Sequence, residues 1–178
     1  MDWDSLTRNI IDAARASFSD LMNQHREESF YAFILYTDND CYTVLPSANS
    51  IEKHNEKILN ENVKDAKSIA AYKWYIGEWF YEAWKDSEFD KICKELSDAS
   101  QVAYTSGSFL KFKEHVHACM IKALLLLDKE GFWGRTRGNI VLFISSSEYD
   151  ESKDMENSSA KILNPQKIYE RFLKRYNV

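Results

Sequence analysis

The chain has 178 residues, of which 44% are hydrophobic, and it carries a formal net charge of -5 at pH 7. A chain of this length can bury roughly 70% of its unfolded surface, so it needs no disulfide or metal to stabilise a core. The acidic balance disfavours general binding to nucleic acid or to anionic membranes, because both require a basic surface. The five glycines and two prolines are too few for a collagen-like, linker-rich or many-turned all-β chain.

The cysteines and the N-terminal segment predict a soluble cytoplasmic protein. The three cysteines are widely spaced and include no CxxC pair, which predicts reduced core thiols: Cys41, Cys93 and Cys119. The N-terminal segment is acidic and amphipathic, unlike a signal or transit peptide. The longest strongly apolar stretch, residues 123–127, is too short to span a bilayer. We therefore expect no membrane association.

The first part of the chain predicts a helix followed by a β-hairpin. From Trp3 onward, apolar residues lie three and four positions apart, which gathers them into one stripe on a helix. Residues 29–37 are rich in aromatic and β-branched side chains, which predicts a strand. Both alternating sets of side chains are apolar, so the strand should be covered on both faces. Asp38-Asn39-Asp40 supplies turn chemistry, and a second strand is expected over residues 41–45, ending at Pro46.

Three further elements are predicted in the middle of the chain. A capping pattern indicates a polar surface helix over residues 50–62. The aromatic segment 72–76 predicts a strand, followed by a turn or short helix near Gly77. Residues 86–99 have the spacing of an acidic amphipathic helix.

The C-terminal part predicts two helices around a strand and a loop. A long helix is expected over residues 109–129, with Gly131 in the position of a C-terminal cap. The apolar run 139–145 predicts a central strand. Residues 147–160 are predominantly acidic and polar, which predicts a mobile loop, and Pro165 marks the start of the last helix.

Together these elements predict an α+β fold in one domain spanning residues 1–178. A small, mostly antiparallel sheet would contain the hairpin near residues 29–45 and strands near 72–76 and 139–145. This sheet would pack with the N-terminal, central and C-terminal helices, because the apolar face of each element must be buried against another.

Motifs for metals, cofactors and nucleophilic catalysis give no positive signal. His115, His117 and Cys119 are potential metal ligands, but on a helix His117 points away from the other two. The segment 131–138 has arginines between glycines, yet it matches neither phosphate-binding glycine pattern and is interpreted as a helix-to-strand loop. No serine lies in a GxSxG context. We predict no metal, no cofactor and no catalytic residue.

The aromatic segment at residues 70–84 contains the candidate binding residues. Glu78 and Glu82 are four positions apart and would share a helix face, as an acid and base pair in a sugar-cleaving enzyme might. Trp74 and Trp79 could form a stacking platform for a ligand. The alternative is structural: aromatic side chains often fill a core, and acids often form a solvated rim.

Three segments resemble, in order, the bacterial family named domain of unknown function 4303. They are FYAFILYTDNDCYTVLPSAN, YKWYIGEWFYEAW, and KEGFWG before NIVLFIS, and the resemblance covers roughly residues 6–145. Trp74, Glu78, Trp79 and Tyr81 match the central motif of the family, which assigns no catalytic residue. Its members resemble the immunity proteins that accompany bacterial polymorphic toxins. The resemblance implies a cytoplasmic protein that covers the active site of a cognate toxin.

Charge and resemblance together favour a non-enzymatic interaction protein that binds a basic toxin. Between Glu78 and Asp98 there are seven acids and three lysines, and such a surface would attract a basic partner. The binding residues would be Trp74, Glu78, Trp79, Tyr81 and Glu82. A second hypothesis is a small-ligand binder or enzyme with an aromatic pocket around Trp74, Glu78 and Trp79. A third is a self-associating scaffold or regulatory subunit; the sequence leaves the oligomeric state open.

Overall fold

The computed structural model describes the backbone of residues 1–177, and the side chains of that range except those of residues 149–151. It confirms an α+β fold. The helices and strands occur in this order: α1 (Trp3–Gln24), β1 (Phe30–Thr37), β2 (Val44–Ser50), α2 (Ile51–Asn60), α3 (Ala66–Trp74), β3 (Tyr81–Glu82), α4 (Asp90–Thr105), α5 (Phe109–Lys129), β4 (Val141–Ser146), α6 (Tyr149–Leu163) and α7 (Gln166–Leu173). Short 3₁₀ helices lie at Ile76–Glu78, Asp86–Phe89 and Gly134–Asn139. None of the helices in the described chain is both long and apolar enough to cross a membrane.

The four strands form a mixed sheet in the order β3-β2-β1-β4. The predicted hairpin is present, because β1 pairs antiparallel with β2 from Phe30 opposite Ser50 to Thr37 opposite Val44. Strand β3 pairs antiparallel with β2, whereas β4 pairs in parallel with β1. The strand predicted at residues 139–145 is therefore present, but it lies at the edge of the sheet and not at its centre.

The outer edge of β4 is closed by side chains of the helix that follows it. The amide of Leu142 donates to Asn164 Oδ1 at 2.9 Å, and Asn164 Nδ2 donates back to the Leu142 carbonyl at 2.6 Å. The amide of Ile144 donates to the hydroxyl of Ser159 at 3.0 Å. An edge strand otherwise exposes unpaired backbone groups. These side-chain contacts explain how all six residues of β4 are buried although no strand pairs with its outer edge.

Helices cover both faces of the sheet and create two cores. The first core packs α1, α4 and α5 against one face, with Phe18, Phe33 and Leu124 fully buried. The second core lies on the other face, where Tyr31 and Phe143 contact aromatic side chains from the segments around α3 and α7. The expectation that β1 is covered on both faces is thus confirmed.

The prediction of a strand at residues 72–76 is wrong. Asp65 caps α3 by accepting a hydrogen bond from the amide of Ser68 at 2.9 Å, and the helix continues to Trp74 through residues that favour helix. A 3₁₀ helix follows, and this region contributes only the two-residue strand β3 to the sheet. Pro46 also does not end β2, which extends to Ser50. A proline has no N–H to donate to a neighbouring strand. Strand β3 pairs with Ser47 and Ala48 of β2, so Pro46 is not required to donate a hydrogen bond to it.

The prediction of a mobile acidic loop at residues 147–160 is also wrong, because α6 spans Tyr149–Leu163. Its buried side is formed mainly by small and polar residues three and four positions apart, including Ser152, Glu156 and Ser159. A search for apolar periodicity therefore misses it. The long helix predicted at residues 109–129 is α5 with the same bounds. Gly131, with φ of 75°, follows it as expected.

Candidate functional site

The three aromatic candidates do not form one exposed face. Trp74 packs in the second core, with its ring 5.4 Å from Tyr31 and 5.3 Å from Phe172. Trp79 is only 4% exposed, and its indole N–H donates to the Lys73 carbonyl at 3.0 Å. Tyr81 lies on the opposite side of the sheet, fully buried in the first core. A binding face built from all three would need the two cores to open.

Glu78 and Glu82 do not form an acid and base pair. Glu78 forms an ion pair with Lys57 at 2.5 Å, whereas Glu82 accepts a hydrogen bond from the Tyr36 hydroxyl at 3.2 Å. They are separated because the chain passes from a 3₁₀ helix into β3 between them. Glu78 and Trp79 do line a surface depression of about 350 Å³ together with Phe80 and side chains of α2. Trp74 does not take part in that lining.

Five carboxylates gather where β1 and β3 end and α4 begins. We call this surface the acidic edge and define it as Asp38, Asp40, Glu82, Asp86 and Asp90. None of the five forms an ion pair with a described lysine, arginine or histidine. The nearby Lys85 is paired instead with Asp20 at 3.2 Å. The acidic edge therefore retains its negative charge.

The negative charge of these acids raises the pKa of neighbouring groups. Burial raises the pKa of Tyr36, and the charges of Glu82 and Asp86 raise it further. Burial likewise raises the pKa of the Cys93 thiol, and the charges of Asp90, Asp38 and Asp86 raise it further. Nearby carboxylates penalise an anionic phenolate or thiolate. Asp86 acts on both groups, and the Asp40 amide donates to Asp38, so the five acids are neighbours.

The loop between β1 and β2 holds the other end of the acidic edge in a fixed shape. The Asp38 carboxylate accepts hydrogen bonds from the amides of Asp40, Tyr42 and Thr43 at 2.8 to 3.0 Å, and from the Thr43 hydroxyl at 2.6 Å. These bonds stabilise the turn in which Cys41 has a φ of 53°. The rigidity of the loop means that its acids are presented in one arrangement.

An exposed aromatic side chain borders this end of the acidic edge. The Tyr104 hydroxyl donates to Asp40 at 2.6 Å, and its ring stacks on Phe109 with the ring centres 3.9 Å apart. The hydrogen bond to Asp40 raises the pKa of Tyr104 to about 12. The ring is 47% exposed. Tyrosine is among the residues that most often contribute strongly to binding at protein interfaces.

Sequence reasoning found only part of this edge. Glu82 was a candidate, and the excess of acids after Glu78 includes Asp86 and Asp90. For Asp38 and Asp40 the sequence predicted only a turn. Their proximity to α4 follows from the sheet and not from local sequence. Tyr104 gave no signal of its own.

The potential metal and phosphate ligands have packing roles. His115 stacks on Trp3 with the ring centres 4.8 Å apart, and the Cys119 thiol donates to the Trp3 carbonyl. Arg137 donates to Asp128 and to the carbonyls of Ile140 and Leu163. Among the side chains that the structure describes, no group of three or more His, Cys, Asp or Glu could hold a metal ion.

Comparison with known families gives a match over most of the chain. Residues 10–165 match the model of a family described as domain of unknown function, DUF4303. No curated protein and no solved structure gives a significant match. The matched range includes all four strands, α1 from Ile10 onward and the whole acidic edge. The chain therefore belongs to the DUF4303 family.

Proposed function

We propose that this protein is a non-enzymatic binding protein that neutralises a basic partner, such as a bacterial toxin, by covering it with the acidic edge. The observation that carries the proposal is the set of five carboxylates without a cationic partner in the described chain. Repulsion among like charges is unfavourable in the free protein. Basic residues of a partner would relieve it.

The arrangement suits fast and specific association. A field of one sign accelerates encounter with a partner of opposite charge and makes the association rate fall with salt. Tyr104 offers an aromatic contact at the border of the edge, where it is held by Phe109 and Asp40. The fixed loop around Asp38 keeps the ordering cost of binding low.

A pocket enzyme or ligand binder at Trp74, Glu78 and Trp79 has weaker support. Glu78 is held by Lys57, and the Trp79 ring is almost fully buried. An acid or base for catalysis must reach a substrate proton. Glu82, the second carboxylate that the sequence suggested, does not line the depression beside Glu78 and is bonded instead to Tyr36.

The test begins with capture of the partner from the source cell by the tagged protein and identification by mass spectrometry. The partner is then purified, and its binding kinetics are measured between low and high salt. Neutralising four acids of the edge together, in the variant Asp40→Asn, Glu82→Gln, Asp86→Asn and Asp90→Asn, should lower the association rate on the order of tenfold or more at low salt. The salt dependence of the rate should become weaker.

A matched control neutralises four exposed acids of other elements: Asp12→Asn, Glu27→Gln, Asp65→Asn and Glu170→Gln. This control changes the net charge by the same amount, so it separates a local field from overall charge. Equal association rates for the two quadruple variants would contradict the acidic edge as the binding surface. A partner that is acidic would contradict the proposal as a whole.

A further inference from the structure

A cavity of about 450 Å³ opens at the end of the sheet where the parallel strands β1 and β4 begin. Its lining comes from the end of α1, the start of β1, the first residue of α2 and the segment that leads into β4. We call it the amino-end pocket. Its volume lies within the roughly 300–1,000 Å³ typical of small-molecule sites. The acidic edge lies at the other end of β1, so the two surfaces are separate.

The apolar part of the lining is built mainly from aromatic rings held in place by the first core. Phe30 and Phe33 have ring centres 5.1 Å apart, and Phe33 lies 4.7 Å from Trp133 behind it. Met22, Ile51 and Ile140 complete the apolar lining. Phe33 and Ile140 are almost fully buried, so this wall is rigid. A rigid aromatic wall favours a planar apolar ligand, because rings stack or meet edge to face.

The one carboxylate in the lining is already satisfied by the protein. Glu28 accepts a hydrogen bond from the Tyr81 hydroxyl at 2.7 Å and from the Ser50 hydroxyl at 2.5 Å. His25 Nδ1 lies 3.3 Å from the same carboxylate and 3.0 Å from the Tyr81 hydroxyl. Both carboxylate oxygens are therefore occupied. Glu28 is held as a fixed polar wall and does not require a cationic ligand.

The unsatisfied charge at the pocket is positive. Arg26 lines the pocket, is exposed, and donates one hydrogen bond to the side-chain oxygen of Asn23 at 3.2 Å. It forms no ion pair with a carboxylate in the described part of the chain. Thr136 and Asn139 add exposed polar groups. A guanidinium in this state favours an anionic group that can accept two hydrogen bonds.

We propose that the amino-end pocket binds a small molecule with a planar apolar ring system and one anionic group. The ring system packs against Phe30, which Phe33 supports from behind, and the anionic group accepts hydrogen bonds from Arg26. The residues involved are independent of the acidic edge, so this inference does not rest on the proposed binding of a basic partner.

The test uses 2-naphthoate as the probe and 2-naphthamide as its neutral match, followed by NMR of the full chain labelled with ¹⁵N. The naphthoate should shift the backbone amides of Phe30 and Ile140 and the indole N–H of Trp133. The indole N–H of Trp3, which packs against Phe112 and His115 of α5, should not shift. Arg26→Gln should weaken naphthoate binding on the order of tenfold, as for loss of a charge-assisted hydrogen bond. It should leave the naphthamide affinity unchanged.

Two controls make the result decisive. Arg8→Gln removes an exposed arginine of α1 away from the pocket and should change nothing. Asn139→Trp fills the mouth from an exposed position and should abolish binding of both probes; Thr136→Trp serves the same purpose if the first variant does not fold. Equal effects of Arg26→Gln on both probes would overturn the anionic assignment. Absent shifts in the pocket, or unchanged binding to the filled variant, would overturn the site.

Discussion

The two cores of this protein are stabilised by different physical means. The first core consists of apolar side chains, such as Ile10, Phe18 and Leu124, from α1 and α5 packed on the sheet. On the other side of the sheet, apolar packing is combined with buried charge. The three buried acidic or basic side chains among the described residues all lie there: His54, Glu156 and Arg175. Apolar burial is non-directional, whereas buried charge requires particular partners.

The largest effect is expected from breaking the charged pair of the second core. Arg175 Nη2 donates to Glu156 at 2.9 Å, and the other Glu156 oxygen accepts from the Ser145 hydroxyl at 2.6 Å. Arg175→Met leaves the carboxylate buried without its cation, which should cost about 3–5 kcal/mol of unfolding free energy. Urea unfolding at pH 7 measures it. Arg171→Met, at an exposed position of α7, should change stability by less than about 0.5 kcal/mol.

The same pair offers a check on the cause. The double variant Glu156→Gln and Arg175→Met removes the charge together with its partner, so it should be more stable than Arg175→Met alone. If the double variant were no more stable, the loss would come from packing of Arg175 on Phe172, where the guanidinium lies 3.9 Å from the ring centre.

A smaller effect, without charge, is expected in the first core. Leu124 on α5 is fully buried, and Leu124→Ala should cost about 2–5 kcal/mol through lost apolar burial and the cavity left behind. Because no charge is involved, the loss should be the same at pH 5.5 and pH 7.5. Leu110→Ala, on the same helix but 75% exposed, is the matched control and should have little effect. A marked pH dependence for Leu124→Ala would blur the contrast between the cores.

This contrast also explains how far the sequence predicts the fold. The spacing of Val116, Leu124 and their neighbours specifies α5 to the residue, because its buried stripe is apolar. Helix α6 escapes the same reasoning, since Glu156 contacts Arg175 nineteen residues later and neither residue is apolar. Specific polar contacts across the fold leave no periodic signal in the chain.

The candidate surfaces follow the same rule. The aromatic segment around Trp79 supplied the candidate binding residues, yet the structure uses Trp79 for the second core. The acidic edge and the amino-end pocket each combine residues from segments far apart in sequence, such as Asp38 with Asp90 and Phe30 with Ile140. The register of the sheet brings these residues together, and one sequence does not reveal that register.

The smallest expected effect is a pH dependence that arises from the second core. Burial lowers the pKa of His54, which lies beside Tyr31 and whose Nε2 contacts the Ile69 carbonyl at 3.2 Å. The unfolded chain then binds the proton more readily than the folded one, so stability rises with pH. The contribution is complete above the ordinary pKa of about 6.5 and is lost as pH falls from there towards the lowered value.

His54→Gln should therefore reduce the loss of stability between pH 7.5 and pH 5.5, whereas His115→Gln, at an exposed position, should leave that loss unchanged. Thermal unfolding of both variants and the wild type across this range measures the difference. The effect should be smaller than that of Arg175→Met or Leu124→Ala, because only one partly shielded proton is involved. If His54→Gln had the same pH profile as the wild type, the acid sensitivity would have to come from other groups.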